Sequence, residues 1–253
     1  MDIVIIGTGN VAYALAGLIK KSDHILLEVS GRNTAQLKKI TEAFDTPASS
    51  IPNLTKDADL YIVAISDDAL YNISDWLTLE KKLVVHTAGS VSKEVLQKVS
   101  RNYGVLYPLQ SLKAGMKTIP EIPFLVDGNT ADDLALIRDF ALSLSNKVEI
   151  ADDEARRKLH LAAVVVNNFT NHLYALAEEF CEKEGLSFDL LQPLILETAN
   201  RIKTMSANDA QTGPAARNDL STIENQEALL RNHPELKKVY ELITASIQCT
   251  PNL

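Results

Sequence analysis

The chain has 253 residues, of which 46% are hydrophobic and 23% are charged. Ten Gly and nine Pro are too few for a disordered or fibrous protein, and two Cys are too few for a disulfide scaffold. The net charge is −8 and the Lys and Arg residues are scattered, which argues against a nucleic-acid-binding protein. The apolar runs are shorter than the roughly 18 residues that a membrane-spanning helix needs.

Two features bear on location and metal binding. The N-terminal sequence MDIVIIG has no basic region and no small-residue cleavage site, so export is not expected. Cys181 and Cys249 lie far apart with no CxxC spacing and no paired His, which is typical of reduced thiols. The sequence therefore predicts a cytoplasmic protein without a bound metal.

The first 150 residues alternate short β-branched runs with helical patterns. Strands are predicted at Ile3–Ile6, Ile25–Val29, Leu60–Ile65, Leu83–His86, Val105–Tyr107, Phe124–Val126 and Val148–Ile150. Helices are predicted at Val11–Lys20, Thr34–Ala43, Asp68–Leu77, Ser92–Arg101 and Ala131–Ser145. This alternation predicts an α/β domain with a doubly wound, mostly parallel sheet.

Beyond residue 150 the pattern becomes all-helical. Helices are predicted at Asp152–Glu184, Phe188–Met205, Thr222–Asn232 and Pro234–Ile247. We therefore expect two domains, a Rossmann-type domain over residues 1–150 and an all-α domain for dimerisation and substrate binding over residues 151–253.

The first strand runs directly into a glycine-rich loop. The loop reads Gly7, Thr8, Gly9, Asn10, Val11 and Ala12, which is the G-x-G-x-x-A form of the dinucleotide-binding motif. Gly7 allows a tight turn, Gly9 allows the backbone to approach a pyrophosphate, and Ala12 allows close packing of helix on strand. All six are predicted cofactor-binding residues. The alternative is a tight turn that binds nothing.

The end of the second strand distinguishes NADP from NAD. NAD enzymes place an acid there, but this turn offers Ser30, Gly31, Arg32 and Asn33, while Glu28 lies inside the strand. A guanidinium beside small polar residues suits a 2′-phosphate. We therefore predict NADP as cofactor, with NAD less favoured. The alternative is a solvated Arg32 and an Asn33 that only caps the next helix.

Small and polar residues also follow the later strands, where α/β sheets bind ligands. Predicted cofactor-binding residues here are Ile65, Ser66, Thr87 and Gly89, and predicted substrate-binding residues are His86, Ser90 and Gln110. Asp67 and Asp68 follow Ser66, and helix capping is the expected role for at least one of them.

The long predicted helix carries a polar stripe on a mostly apolar surface. At 100° per residue, His160, Asn167 and Asn171 fall within about 40° of one another. We predict that His160 donates or accepts a proton and that Asn167 orients a substrate. The alternative is a hydrogen-bonded helix contact or a dimer interface. Further on, Gly213 and Pro214 open a turn in which Arg217 is predicted to hold an anionic substrate group, unless it pairs with a neighbouring acid.

These segments together resemble a known family. The stretches GTGNVA, HTAGS, YPLQS, KLHLAAVVVNN and TGPAARND are similar to those of a bacterial Rossmann-like family whose C-terminal helical domain has no assigned function. That family is related to pyrroline-5-carboxylate reductase, deazaflavin-dependent NADP oxidoreductases and the 6-phosphogluconate dehydrogenase superfamily. The resemblance implies an NADP-type Rossmann domain, an all-helical C-terminal domain and a homodimer formed by the helical domains.

Two departures from the relatives narrow the function. Lys158 is followed four residues later by Ala162, so the Lys–Asn pair of the 3-hydroxyacid branch is absent. The Ser-Pro-Gly-Gly-Thr-Thr turn of pyrroline-5-carboxylate reductases is replaced by residues 212–217, TGPAAR, which argues against proline synthesis. We predict an NADP(H)-dependent oxidoreductase acting on a small, anionic carbonyl, imine or alcohol. The alternatives are a non-catalytic dinucleotide-binding sensor and a Rossmann scaffold that binds no nucleotide.

Overall fold

The computed structural model describes residues 1–49, 53–116 and 118–249. The chain divides into two compact units, Met1–Val165 and Val166–Leu253. The division falls inside the long predicted helix rather than at residue 150, so the first part of that helix belongs to the first unit.

The first unit contains an eight-stranded sheet. Its strands are β1 (Asp2–Ile6), β2 (Ile25–Ser30), β3 (Ala48–Ser49), β4 (Leu60–Val63), β5 (Glu80–His86), β6 (Ser100–Pro108), β7 (Phe124–Gly128) and β8 (Val148–Ile150). The strand order is β3-β2-β1-β4-β5-β6-β7-β8, and every neighbouring pair is parallel except β6 and β7. The predicted doubly wound, mostly parallel sheet is confirmed.

Helices and turns cover both faces of this sheet. The first unit contains α1 (Asn10–Ile19), α2 (Thr34–Phe44), α3 (Asp67–Leu70), α4 (Ala131–Leu144) and α5 (Asp153–Ala163). Along β1, Ile3 and Ile5 belong to one buried cluster, whereas Val4 and Ile6 belong to another. Since alternate residues of a strand face opposite sides, apolar layers cover the sheet above and below.

Two predicted helices of this unit are wrong. In place of Asp68–Leu77 the chain forms the single turn α3 and a 3₁₀ turn at Ile73–Asp75. In place of Ser92–Arg101 it forms a 3₁₀ turn at Lys93–Leu96 and then enters β6. The Ser100 hydroxyl donates to the Glu80 and Lys82 carbonyls of β5, so strand pairing overrides the local helical pattern.

The regular elements among the described residues of the second unit are all helical, as predicted. It contains α6 (Thr170–Lys183), α7 (Gln192–Arg201), α8 (Leu220–Leu229) and α9 (Pro234–Cys249), with 3₁₀ turns at Phe188–Leu191 and Leu230–Asn232. No helix among the described residues has both the length and the apolar character that crossing a membrane requires.

A π-helical segment, Val164–Phe169, interrupts the long predicted helix between α5 and α6. A π-helix has a wider turn than an α-helix, so a projection at 100° per residue fails across this segment. The helical projection that supports the predicted stripe therefore does not apply across this segment, and the stripe of His160 and Asn167 stays a prediction.

Candidate active site

A cleft of about 1260 Å³ lies in the first unit at the carboxyl ends of β1, β2, β4 and β5. Its described lining residues come from the loops after these strands, from β6 and from α5. They are Ile6, Gly7, Thr8, Gly9, Asn10, Val11, Gly31, Arg32, Asn33, Ala64, Ile65, Ser66, Asp67, Ala69, Asn72, Trp76, Thr87, Ala88, Gly89, Tyr107 and His160. Most of the predicted cofactor-binding residues therefore lie around one cavity.

The glycine-rich loop has the geometry of a phosphate-binding turn. Gly7 has a φ of +136°, and a Cβ there would lie 2.0 Å from the Ala64 carbonyl oxygen, so only glycine fits. A Cβ at Gly9 would meet nothing within 4 Å, so the backbone there is open to the cleft. Gly9 is also the N-cap of α1 and no side chain caps this helix, which leaves N–H groups available to a phosphate.

Two loop residues have structural contacts as well. The Asn10 Oδ1 accepts a hydrogen bond from the Ala114 N–H at 2.9 Å, which fixes the loop around residue 114 to the start of α1. Ala12 is fully buried and does not line the cleft, in keeping with its expected packing role.

The turn after β2 presents Arg32 to the cleft. Arg32 is exposed and forms no ion pair with any residue that the structure describes. Asn33 caps α2 by accepting the Gln36 N–H at 3.1 Å, and it also lines the cleft. Ser30 is buried, and its hydroxyl donates to the Ser49 carbonyl at 3.2 Å instead of lining the cavity.

His160 lies in the cleft in direct contact with Tyr107. The Tyr107 Oη and His160 Nδ1 are hydrogen-bonded at 2.8 Å, and the two rings meet edge to face at 5.7 Å. A Cβ on Gly89 would lie 2.6 Å from His160 Nδ1 and 2.9 Å from Tyr107 Cζ. Glycine at position 89 therefore allows the pair to approach the loop after β5. Burial, and then the Asp67 carboxylate, raises the pKa of Tyr107, while Arg156 opposes this shift.

Tyr107 is not among the site residues that the sequence predicts. It ends an apolar run and is mostly buried, so the pattern identifies it only as a strand residue. Its position at the carboxyl end of β6, next to the predicted polar turn, is the one feature that could have indicated a functional role.

Arg156 fixes the helix that carries His160. Its side chain is fully buried, and Nη2 donates to the Val91 carbonyl at 2.5 Å and to Asp153 Oδ1 at 2.7 Å. The same Asp153 oxygen accepts the Lys93 N–H at 3.2 Å. These bonds tie the start of α5 to the loop after β5 and so place His160, one turn further along the helix, against Gly89.

Three predicted substrate-binding residues of the first unit, His86, Ser90 and Gln110, lie outside the cleft lining. His86 is fully buried, and its Nδ1 accepts the Ala88 N–H at 3.1 Å. Burial, and then the neighbouring Arg156 charge, lowers the pKa of His86 to about 3, so the ring is neutral. Gln110 uses its side-chain amide for local bonds to the Glu121 carbonyl and the Ser111 N–H.

The remaining predicted residues lie elsewhere. Ser90 is exposed, and its hydroxyl donates to Asp67 Oδ2 at 2.5 Å. Asn167 and Arg217 belong to the second unit, and both are exposed. Asp219 caps α8 by accepting the Thr222 N–H, and Arg217 forms no ion pair within the described ranges. The roles of Asn167 and Arg217 stay predictions.

The chain was compared with known families and structures. Residues 2–90 match the family described as NADP oxidoreductase, coenzyme F420-dependent, and residues 122–247 match the domain of unknown function DUF2520. A Bacteroides fragilis protein, provisionally assigned as an NADP oxidoreductase, is 36% identical with a TM-score of 0.91, over 98% of this chain and 97% of that one. The chain belongs to this family of NADP oxidoreductases with a DUF2520 domain, which confirms the resemblance and the prediction of NADP as cofactor.

More distant structures share the fold. A 1-pyrroline-5-carboxylate reductase from Streptococcus pyogenes is 19% identical with a TM-score of 0.66, over 99% of each chain. A reductive aminase from Aspergillus terreus, in complex with NADPH and ethyl-5-oxohexanoate, is 17% identical with a TM-score of 0.68, over 97% of this chain and 94% of that one. A comparison with curated protein sequences found no match.

Proposed function

We propose that this protein is an NADP(H)-dependent oxidoreductase that transfers a hydride to or from a small carbonyl, imine or alcohol substrate. The observation that carries the proposal is the Tyr107–His160 pair, a proton-donating couple in the same cleft as the glycine-rich loop. A nucleotide loop alone would serve a sensor equally well, whereas a positioned acid beside it serves a reaction.

The cleft residues fit NADP(H). The uncapped N–H groups at the start of α1 suit the pyrophosphate, and the open space at Gly9 allows it to approach the backbone. Arg32, which has no ion-pair partner among the described residues, suits the 2′-phosphate that distinguishes NADP from NAD. When bound, NADPH supplies a hydride to the substrate carbon, and NADP⁺ accepts one in the reverse direction.

The chain's own residues would supply the proton. Reduction of a C=O or C=N bond needs a proton at the oxygen or nitrogen, and the Tyr107 hydroxyl can donate it. A tyrosine hydroxyl is protonated at neutral pH, and burial and the Asp67 carboxylate, which raise the pKa of Tyr107, favour the protonated form further. His160, bonded to the same hydroxyl, can then return a proton to it.

The second unit would contribute two substrate-binding residues and a dimer interface. Asn167 would orient the substrate, Arg217 would hold an anionic group of it, and the helices would form a homodimer. Support for the dimer comes from the large apolar side chains exposed on these helices, which one copy leaves in water. We also expect the protein to be cytoplasmic, where its two free cysteines would stay reduced.

Calorimetric titration of NADPH into the wild type and Gly9→Val tests the cofactor site. A valine side chain would extend into the open cleft without meeting the fold, so we expect folded protein that no longer binds NADPH. Ala131→Val, which adds the same branches at an exposed residue outside the cleft lining, should bind normally. Wild-type affinity in folded Gly9→Val would contradict the proposed phosphate site.

Catalysis is tested by NADPH consumption with a panel of small ketones, imines and alcohols. We expect at least one class to be turned over by the wild type. Tight NADPH binding without turnover of any member would favour the non-catalytic sensor instead.

A further inference from the structure

The cleft contains one carboxylate, Asp67, that forms no ion pair with any residue that the structure describes. Among the described residues that line it, Asp67 is the acidic side chain, and the basic side chains are Arg32 and His160. Asp67 is exposed, its Oδ2 accepts the Ser90 hydroxyl, and its Oδ1 has no hydrogen-bond partner in the described part of the chain. No Lys, Arg or His of the described residues lies within ion-pair distance of it.

This acid lies at the end of the cleft that contains the Tyr107–His160 pair. Ser90, which holds Asp67, directly follows Gly89, and Gly89 contacts both rings of the pair. The Asp67 carboxylate is also close enough to contribute, after burial, to the raised pKa of Tyr107. Arg32, by contrast, lies on the turn after β2 with the residues expected to bind the 2′-phosphate.

The charge at this end of the cleft selects between substrates. A carboxylate repels an anionic group beside it, accepts a hydrogen bond from a neutral hydroxyl, and forms no hydrogen bond with a carbonyl oxygen, which is itself only an acceptor. A protonated nitrogen gains both a hydrogen bond and an opposite charge, and such charge-assisted bonds are roughly twice as strong as neutral ones.

We propose that Asp67, oriented by Ser90, is the site for a protonated nitrogen of the substrate, which is therefore an amine or a protonated imine. This inference rests on the proposed oxidoreductase function and narrows its substrate class. For an imine, the proton on the nitrogen would be the one that the Tyr107 hydroxyl donates, so Asp67 would stabilise the protonated imine before it accepts the hydride. An anionic group on the same molecule would lie away from Asp67, because the two negative charges repel each other.

The test compares binding of matched small molecules to the protein saturated with NADP⁺. The probes are pairs that share one carbon skeleton, an amine and the corresponding alcohol, such as cyclohexylamine with cyclohexanol and isobutylamine with isobutanol. Ligand-observed NMR and calorimetry give the affinities. We expect amines to bind the wild type roughly tenfold more tightly than their alcohol partners, a typical gain for a charge-assisted hydrogen bond.

Asp67→Asn should abolish this difference, because the amide keeps the shape and removes the charge. Asp68→Asn is the matched control, since Asp68 is also exposed but does not line the cleft, and it should keep the full preference for amines. Ser90→Ala should weaken the preference by a smaller factor, because Ser90 acts only by orienting Asp67.

Three results would overturn the inference. One is that no amine in the set binds better than its alcohol partner, and another is that Asp67→Asn keeps the preference. The third is a loss of NADP⁺ affinity in Asp67→Asn that is as large as the loss of amine affinity, which would assign Asp67 to a ribose hydroxyl. If the wild type binds no NADP⁺ at all, the proposed function fails as well, and this outcome is visible in the first titration.

Discussion

The two compact units of the chain distribute their apolar side chains in opposite ways. In the first unit, apolar residues are buried on both faces of the sheet. In the second, the buried hydrophobic residues among those described are Leu176, Cys181, Ile223 and Leu230. The same helices expose Val166, Phe169, Leu186, Leu190, Leu194, Leu196, Ile202, Met205, Leu220, Leu229, Leu242 and Ile243.

This difference indicates which unit buries its apolar surface within a single chain. The first unit buries its own core and contains every described residue that lines the cleft beside the glycine-rich loop. The second leaves more large apolar side chains in water than it buries, which is typical of a surface that another chain covers. We therefore expect the first unit to hold the cofactor and the proton-donating pair, and the second unit to form the dimer interface besides providing Asn167 and Arg217.

The strongest test of this division is a variant in which the predicted dimer cannot form. We expect a wild-type dimer with twice the mass of one chain and an interface above about 2,000 Å², the usual size for obligate dimers. The double variant Leu190→Glu and Leu194→Glu places two charges on the exposed face at the start of α7, where these side chains are 80% and 62% exposed. Light scattering should show that this variant is monomeric.

Leu136→Glu is the control for this experiment. Leu136 is 50% exposed on α4 of the first unit, and its replacement should leave the mass at that of a dimer. A wild-type protein that is monomeric at micromolar concentration would contradict the division between the two units.

The next largest effect concerns the reacting pair of the first unit. His160→Ala and Tyr107→Phe should each lower turnover by about 10²–10⁴, the usual contribution of a general acid or base. NADPH affinity should be nearly unchanged, because neither residue belongs to the glycine-rich loop. His172→Ala, which removes an exposed histidine on α6, should leave turnover unchanged. Turnover of His160→Ala within twofold of the wild type would remove it as a catalytic candidate.

A smaller effect is expected at the other end of the cleft. Arg32→Ala should weaken NADPH binding by roughly ten- to a hundredfold, or about 1.5–3 kcal/mol, and leave NADH binding unchanged. Arg101→Ala, at an exposed arginine outside the cleft lining, should change neither. Equal wild-type affinities for NADPH and NADH, measured by calorimetry, would mean that Arg32 does not recognise a phosphate.

A pH-dependent effect on stability tests the buried His86. His86 has its pKa lowered to about 3 in the folded protein, whereas the unfolded chain takes up the proton near pH 6.5. The unfolded state therefore binds more protons between these values, so stability falls as the pH decreases from about 6.5 to 3. One buried group contributes at most about 1.4 kcal/mol per pH unit.

His86→Asn tests this contribution because its Oδ1 can accept the Ala88 N–H and does not titrate. Urea unfolding at several pH values should show a shallower acid slope for the variant than for the wild type. Identical slopes would mean that His86 is not the group responsible.

Patterns that depend on neighbouring residues in the sequence predicted most of the fold. The apolar strands and the loop of Gly7 and Gly9 satisfy local rules for parallel sheets and phosphate turns, and the structure places them accordingly. Where long-range pairing competes with local pattern, prediction failed. Ser92–Arg101 has a helical pattern, but Ser100 pairs with β5. The two-residue strand β3 is too short to carry a pattern.

The candidate site was less predictable for the same reason. His160 was identified because a polar residue stands out on an apolar helix. Its partner Tyr107 was missed because a tyrosine at the end of a buried strand resembles ordinary core. His86 was assigned to the cleft because it ends a strand, but the direction of its side chain depends on burial beside Arg156. The π-helical segment has no local signal that distinguishes it from α-helix.

A crystal structure of the protein with NADPH tests the central claim most directly. The account predicts the pyrophosphate on the N–H groups at the start of α1, the 2′-phosphate against Arg32, and the nicotinamide beside Tyr107 and His160. A nucleotide bound in this cleft with its nicotinamide far from the Tyr107–His160 pair would contradict the proposed chemistry. Crystals that take up no nucleotide, supported by calorimetry without heat of binding, would contradict the function as a whole.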